Sequence, residues 1–222
     1  MPLKFFLKFF QNHGLFKFKN RPQWYTVSKR SRTYVETIIS KISGEHFKNY
    51  KINKIKSTNN GVDLYYGGNN EFFDYDKVIL ATHADEALAM IENPSDQEKE
   101  ILLNFRYKEN IAYIHTDQSV MPKNKKAWCS WNSSMKKDEI KKNSITYWLN
   151  LLQNLECEEN IFLTLNPYFE IEDSKILKKV KYTHPYFDQS ALDYQGKLKY
   201  LQNKRNILFC GSYFGYGFHE DG

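Results

Sequence analysis

Only three cysteines occur in this chain, Cys129, Cys157 and Cys210. An odd number at such wide spacing supports neither a disulfide framework nor a zinc site, and the residues read as reduced thiols of a cytoplasmic protein. Long apolar runs are missing too, since no stretch approaches the roughly 18 residues needed to span a bilayer. The opening Met1-Pro2-Leu3-Lys4-Phe5-Phe6-Leu7-Lys8-Phe9-Phe10 is broken by lysine every four residues, and no small-residue cleavage site follows, so it does not read as a signal sequence. It reads instead as an amphipathic helix, with Phe5, Phe6, Phe9 and Phe10 on one side and Lys4 and Lys8 on another, and it leaves peripheral membrane contact open. No Gly-x-Gly-x-x-Gly turn is present: Gly67-Gly68 stands alone, and Gly211, Gly215 and Gly217 have another spacing. There is no internal repeat. His115 and Asp117 have no nucleophile or further metal ligand in sequence proximity, so neither a metal site nor hydrolase chemistry is expected.

What is there bounds the rest. At 222 residues the chain is long enough for one large domain or two small ones with a real core. Thirty-two basic residues against 26 acidic ones leave a net charge of +6. Lysine and asparagine are spread everywhere, and runs such as Lys123-Asn124-Lys125-Lys126 alternate with acidic residues. That is a solvated surface rather than a nucleic-acid face. Helical spacing predicts helices over 31–41 with Ser31 as cap, 85–91, 96–105, 146–155 and 189–201. Alternation predicts strands over 51–57 and 61–66 around Asn59-Asn60-Gly61, a buried strand at Lys77–Ala81, and strands over 111–115, 127–131, 161–165, 178–183 and 207–210. Pro94-Ser95-Asp96 is the clearest punctuation, because proline stops a helix and Ser or Asp caps the next.

The most informative stretch is the apolar run Ile207-Leu208-Phe209-Cys210 passing into Gly211-Ser212-Tyr213-Phe214-Gly215-Tyr216-Gly217-Phe218-His219-Glu220-Asp221-Gly222. Glycines among aromatics let backbone amides approach a bulky planar ligand. A strand and glycine turn with no closing helix predict that the polypeptide is a piece of a longer protein. This ending resembles the last flavin-binding motif of the FAD-dependent amine oxidase and phytoene desaturase superfamily, and more closely a bacterial branch of predicted NAD/FAD-binding proteins. That branch is also resembled by Asn12-His13-Gly14, Arg21-Pro22-Gln23-Trp24, Val78-Ile79-Leu80-Ala81-Thr82-His83-Ala84-Asp85, His115-Thr116-Asp117, Trp128-Cys129-Ser130-Trp131-Asn132, Thr164-Leu165-Asn166-Pro167 and His184-Pro185, in one order along nearly the whole chain.

The resemblance implies an α/β fold: an incomplete FAD/NAD(P)-binding Rossmann-like domain with an inserted mixed-sheet α+β substrate domain. Carried over, residues 25–95 and 190–222 belong to the FAD domain, and 1–24 and 96–189 to the substrate side. It implies FAD as cofactor, held by Ile52 toward adenine, Ala81 and Thr82 at a strand end, Gly211 and Ser212 near the ribityl and pyrophosphate groups, and Gly217, Phe218, His219 and Glu220 at the isoalloxazine. Asn110 stands where many members carry a lysine, and His184 where amine oxidases place one aromatic of the amine cage, so these two with Phe218 are the candidates nearest the chemistry. Ser28-Lys29-Arg30-Ser31 stands where the branch prefers two glycines. Trp24, Trp128, Trp131, Tyr147, Trp148 and Tyr213 are candidates for a hydrophobic substrate cavity. The implied reaction is hydride transfer from a C–N or C–C position of a small, hydrophobic substrate to flavin N5, the 222 residues alone being inactive. The alternatives are a flavin-dependent desaturase or isomerase of a lipid-like substrate, and a non-catalytic basic binding module.

Overall fold

The structure, a computed structural model, describes residues 2–23, 25–68, 71–136, 139–218 and 221, with residues 139–142 described by their backbone alone. In chain order the described residues form α1 (Leu3–Asn12), α2 (Ser31–Lys41), β1 (Ile52–Ser57), β2 (Val62–Tyr66), β3 (Glu71–Tyr75), β4 (Val78–Leu80), α3 (Ala84–Met90), α4 (Asp96–Leu102), β5 (Arg106–His115), β6 (Trp131–Lys136), β7 (Glu139–Trp148), α5 (Leu149–Leu152), β8 (Phe162–Leu165), β9 (Ile176–Tyr186), α6 (Gln189–Gln195) and β10 (Ile207–Phe209). The chain divides into two compact units, one of residues 1–23, 43–108 and 185–222, the other of 24–42 and 109–184. These are packing units. They cross the segments expected as FAD and substrate domains at residues 1–23, 25–42, 96–108 and 185–189. No helix among the described residues is long and apolar enough to cross a membrane.

The first unit holds an antiparallel meander β1-β2-β3 and a parallel pair of β4 with β10. The turn into β2 needs Gly61, because a Cβ there would lie 2.2 Å from the Tyr75 carbonyl oxygen. Ile55, Val62, Leu80, Leu102, Ile207 and Phe209 meet in one core. Burying such side chains stabilises by about 1.5–3 kcal/mol each. Ser95 caps α4 as expected, accepting from the Glu98 amide while the Glu98 carboxylate accepts from the Ser95 amide. That carboxylate is buried and also takes a 2.9 Å contact from Arg205. One interaction thus ties the start of α4 to the approach of β10.

The second unit is a five-stranded sheet in the order β6-β7-β8-β5-β9, antiparallel between β6 and β7, β7 and β8, and β8 and β5. Here expectations change, and the strand expected over 127–131 begins only at Trp131, as β6. The helix expected over 146–155 is strand as far as Trp148 and helix only over α5, because Thr146 pairs with both Asn132 and Thr164 and a sheet position between two neighbours outweighs local helical spacing. Ser31 is not the cap of α2, whose N-cap is Arg30 at φ 70° and ψ −175° with no side-chain cap bond. Lys29 is also left-handed at φ 61°, so the pair standing where glycines were expected adopts a glycine-like backbone. In the first unit the strand expected to be buried at Lys77–Ala81 covers only one face, leaving Ile79 65% exposed.

Candidate functional site

Parallel pairing of β4 with β10 brings two strand ends together, since Leu80 lies opposite Phe209 and the Cys210 amide donates to the Leu80 carbonyl at 3.0 Å. Ala81-Thr82 and Gly211-Ser212 therefore leave the sheet side by side at its carboxyl edge, where ligands of open α/β sheets bind. Ala81 is exposed and Thr82 half-buried, its Oγ1 donating to the His83 carbonyl at 3.2 Å. Gly211 sits at φ 148°. A Cβ there would meet the Tyr213 ring at 2.8 Å and the Thr82 carbonyl oxygen at 3.5 Å. Ser212 accepts the Gly215 and Gly217 amides through its carbonyl, and Gln195 donates to the Tyr213 and Gly215 carbonyls, which closes the loop. Ile52 opens β1 opposite Tyr66 and packs against the core.

The loop over 215–218 is arranged around a negative charge. The Tyr216 and Phe218 amides both donate to Oδ2 of Asp221, at 2.8 and 2.9 Å. Gly215 makes the space for that carboxylate. Two convergent amides on one oxygen form an anion-binding concavity, and Asp221 stands in it as an anionic ligand would. Gly217, at φ 94°, faces the chain itself: a Cβ would lie 2.8 Å from the Phe187 ring. The Phe218 ring stacks on Phe9 of α1 at 5.2 Å, and Asn12 donates to the Tyr216 hydroxyl at 3.0 Å. His219 and Glu220 lie outside the described residues. Sequence reasoning missed Phe9, whose partner Phe218 is remote in the chain, and Asp221, whose carboxylate turns back onto amides three and five residues before it without a turn signature that says so.

Tyr213 is core rather than cavity wall. It packs on Phe105 at 5.2 Å, its hydroxyl is buried without a partner among the described residues, and burial pushes its ionisation up. Burial likewise pushes the Tyr107 hydroxyl up to about 12, while that hydroxyl accepts the Ala84 amide at 2.8 Å. Trp24 lies outside the described residues.

In the second unit Asn110 and His184 come together, with the Asn110 amide 2.9 Å from His184 Nδ1. Asn166 extends the row, donating to Asn110 Oδ1 at 2.7 Å and accepting the Ile111 amide at 2.9 Å. Deeper in the sheet, fully buried His115 and Thr164 join Thr146. The Asp117 amide donates to His115 Nδ1 at 3.2 Å, so Nε2 carries the proton and donates to Thr164 Oγ1 at 2.8 Å, which shares a 2.9 Å bond with Thr146 Oγ1. Burial holds His115 below the usual histidine range. Burial alone would raise the Asp117 carboxyl, but the Ser119 and Glu172 amides and Lys175 hold it below its ordinary value. Trp128 packs on Trp148 and Phe162, and Trp131 on Tyr147.

No protein-family model matches the chain, and no curated protein matches it in sequence. Solved structures do. The fold is that of the FAD-binding oxidoreductases. A fatty acid isomerase from P. acnes, described as CLA-producing, matches with a TM-score of 0.58 at 13% identity over 86% of this chain and 49% of that one. A candidate protoporphyrinogen oxidase from Exiguobacterium sp. matches at 0.56, with 10% identity over 95% of this chain and 53% of that one. A putrescine oxidase redesigned in its cofactor binding matches at 0.54, with 10% identity over 84% and 48%. At such identity the likeness is one of fold, and the chain spans about half the length of these structures.

Proposed function

We propose that these residues form part of an FAD-dependent oxidoreductase of the amine oxidase and phytoene desaturase superfamily. The observation that carries the reading is the carboxyl edge of β4 and β10, where an exposed Ala81 and a Cβ-free Gly211 lie beside a loop whose amides hold a carboxylate. An FAD group fits that chemistry: small residues for close approach, and amide donors for an anionic edge now held by Asp221. Gly211 and Ser212 would lie toward the ribityl and pyrophosphate groups, Ala81 and Thr82 toward the nucleotide, Ile52 toward the adenine, and Phe218, His219 and Glu220 toward the isoalloxazine, with Gly217 contributing through its backbone because Phe187 fills the side a Cβ would occupy. When bound, the cofactor supplies hydride acceptance at N5, and the chain supplies binding and orientation. His184 and Asn110, held by each other and by Asn166, are the polar candidates toward the substrate.

A second reading, isomerisation or desaturation of a lipid-like substrate, is favoured by the likeness to the fatty acid isomerase and by His184 standing where an amine cage would need an aromatic. The test is a polypeptide of the neighbours' full length. It is expected to purify with about one FAD per chain, to be bleached anaerobically by a hydrophobic donor, and to respond little to simple primary amines. Colourless protein that takes up no FAD refutes the cofactor assignment, and rapid reduction by monoamines refutes the substrate class. A chain that instead binds nucleic acid with steep salt dependence is the basic binding module.

A further inference from the structure

Residues 2–23 carry five cations, Lys4, Lys8, Lys17, Lys19 and Arg21, and no carboxylate. Helix α1 turns Phe5 and Phe9 onto Phe187, Tyr216 and Phe218. Its outer face is left to Leu3, Lys4, Leu7, Lys8 and Gln11, which form one open side of the helix. Leu3 is 70% and Leu7 44% exposed, and beyond the helix Phe16 is 50% and Phe18 fully exposed. A single exposed leucine needs no explanation. Four large apolar side chains interleaved with cations in one carboxylate-free segment do need one.

The spacing fits a surface rather than a pocket. Leu3 and Leu7 form one rank along the helix, and Lys4 and Lys8 form the next, four residues apart in each case. We propose that this segment docks on the surface of an anionic lipid bilayer, with Leu3, Leu7, Phe16 and Phe18 entering the headgroup boundary and the lysines and Arg21 meeting the lipid phosphates. Charge complementarity selects this occupant. Nucleic acid would satisfy the cations but leave the leucines in water, and a second copy would set the same positive charge against itself. The inference stands independently of the flavin reading.

Sedimentation of the full chain with vesicles tests it. Binding is expected to phosphatidylcholine vesicles containing phosphatidylglycerol, to fall as salt is added, and to be lost on phosphatidylcholine alone. Each lysine near an anionic surface contributes about fivefold in partitioning, so Lys4→Gln with Lys8→Gln should weaken binding about 25-fold. Leu3→Ser or Leu7→Ser should each weaken it about tenfold or more. All four side chains are exposed, and the comparison of the two lipids on the unaltered chain needs no variant. Equal binding to both lipids, lysine variants that bind like the parent, or binding to single-stranded RNA without binding to vesicles would each overturn the proposal.

Discussion

Replacing Thr164 by valine isolates the polar chain at the centre of the second unit. Valine keeps the shape of threonine, so little cavity forms, and the change is confined to hydrogen bonding. Thr164 Oγ1 lies 2.8 Å from His115 Nε2 and 2.9 Å from Thr146 Oγ1, with all three residues buried. Its removal leaves an imidazole N–H and a hydroxyl without partners. Each orphan costs about 1–3 kcal/mol, so Thr164→Val should destabilise by roughly 2–6 kcal/mol, a large share of the ~5–15 kcal/mol that holds a domain together. Adding Thr146→Val removes one orphan, so the double variant should lose less than the sum of the singles by about 1 kcal/mol or more. Urea unfolding followed by tryptophan fluorescence reads this directly, since Trp128 packs on Phe162, the ring neighbour of His115. The slope should stay unchanged while the midpoint falls. A Thr164→Val midpoint within about 0.5 kcal/mol of the parent, or strictly additive valines, would refute the network as a stabilising unit.

The same histidine sets a pH dependence. Burial lowers its folded value, so the unfolded chain binds a proton the folded chain refuses; stability is complete above the ordinary value of about 6.5 and is lost as pH falls below it, with Asp117 adding to the loss in the carboxylate range. A urea midpoint that stays flat on acidification, or that falls equally in His115→Gln, contradicts this. Arg30→Gly should raise stability: a non-glycine residue at φ 70° and ψ −175° costs about 1–3 kcal/mol, of which glycine's chain entropy and the lost contact to Gln153 return part, leaving a gain of roughly 0.5–1.5 kcal/mol and a melting shift of a few degrees by scanning fluorimetry. Asp221→Ala should speed hydrogen exchange at the Tyr216 and Phe218 amides about tenfold or more, as expected for losing a charged acceptor; unchanged protection would mean the carboxylate does not hold the loop. Gly217→Val would be a poorer probe, because its Cβ strikes Phe187 whatever ligand is present.

Features written in neighbouring residues were legible in the sequence. The cap at Ser95, the turn at Gly61 and the strand entering Gly211 each depend on a few adjacent side chains, and each is found in place. Where partners are remote, local pattern misleads. Trp148, Leu151, Leu152 and Leu155 have helical spacing, yet Thr146 to Trp148 are held as strand by β6 and β8. The pairing of Asn110 with His184 was open to reading only as two separate departures from a family pattern; Asn166, which orders them, has no local signal beyond preceding a proline. Asp221 was missed for another reason: its partner amides lie only three and five residues back, but the glycines and aromatics around it do not say which way its carboxylate turns.

The pairing of β4 with β10 also dictates the order of events during synthesis. Val78 meets Ile207 only after about 130 further residues have been made, and strands of three residues have no stability of their own. Closing that loop costs about 3 kcal/mol more in chain entropy than closing a tight hairpin. On the ribosome the meander β1-β2-β3 can form early, while Leu80 waits without Phe209 through the emergence of residues 109–184, the larger part of the second unit. An apolar strand held open for that interval is where a chaperone would act, and where a slowed ribosome would most increase misfolding.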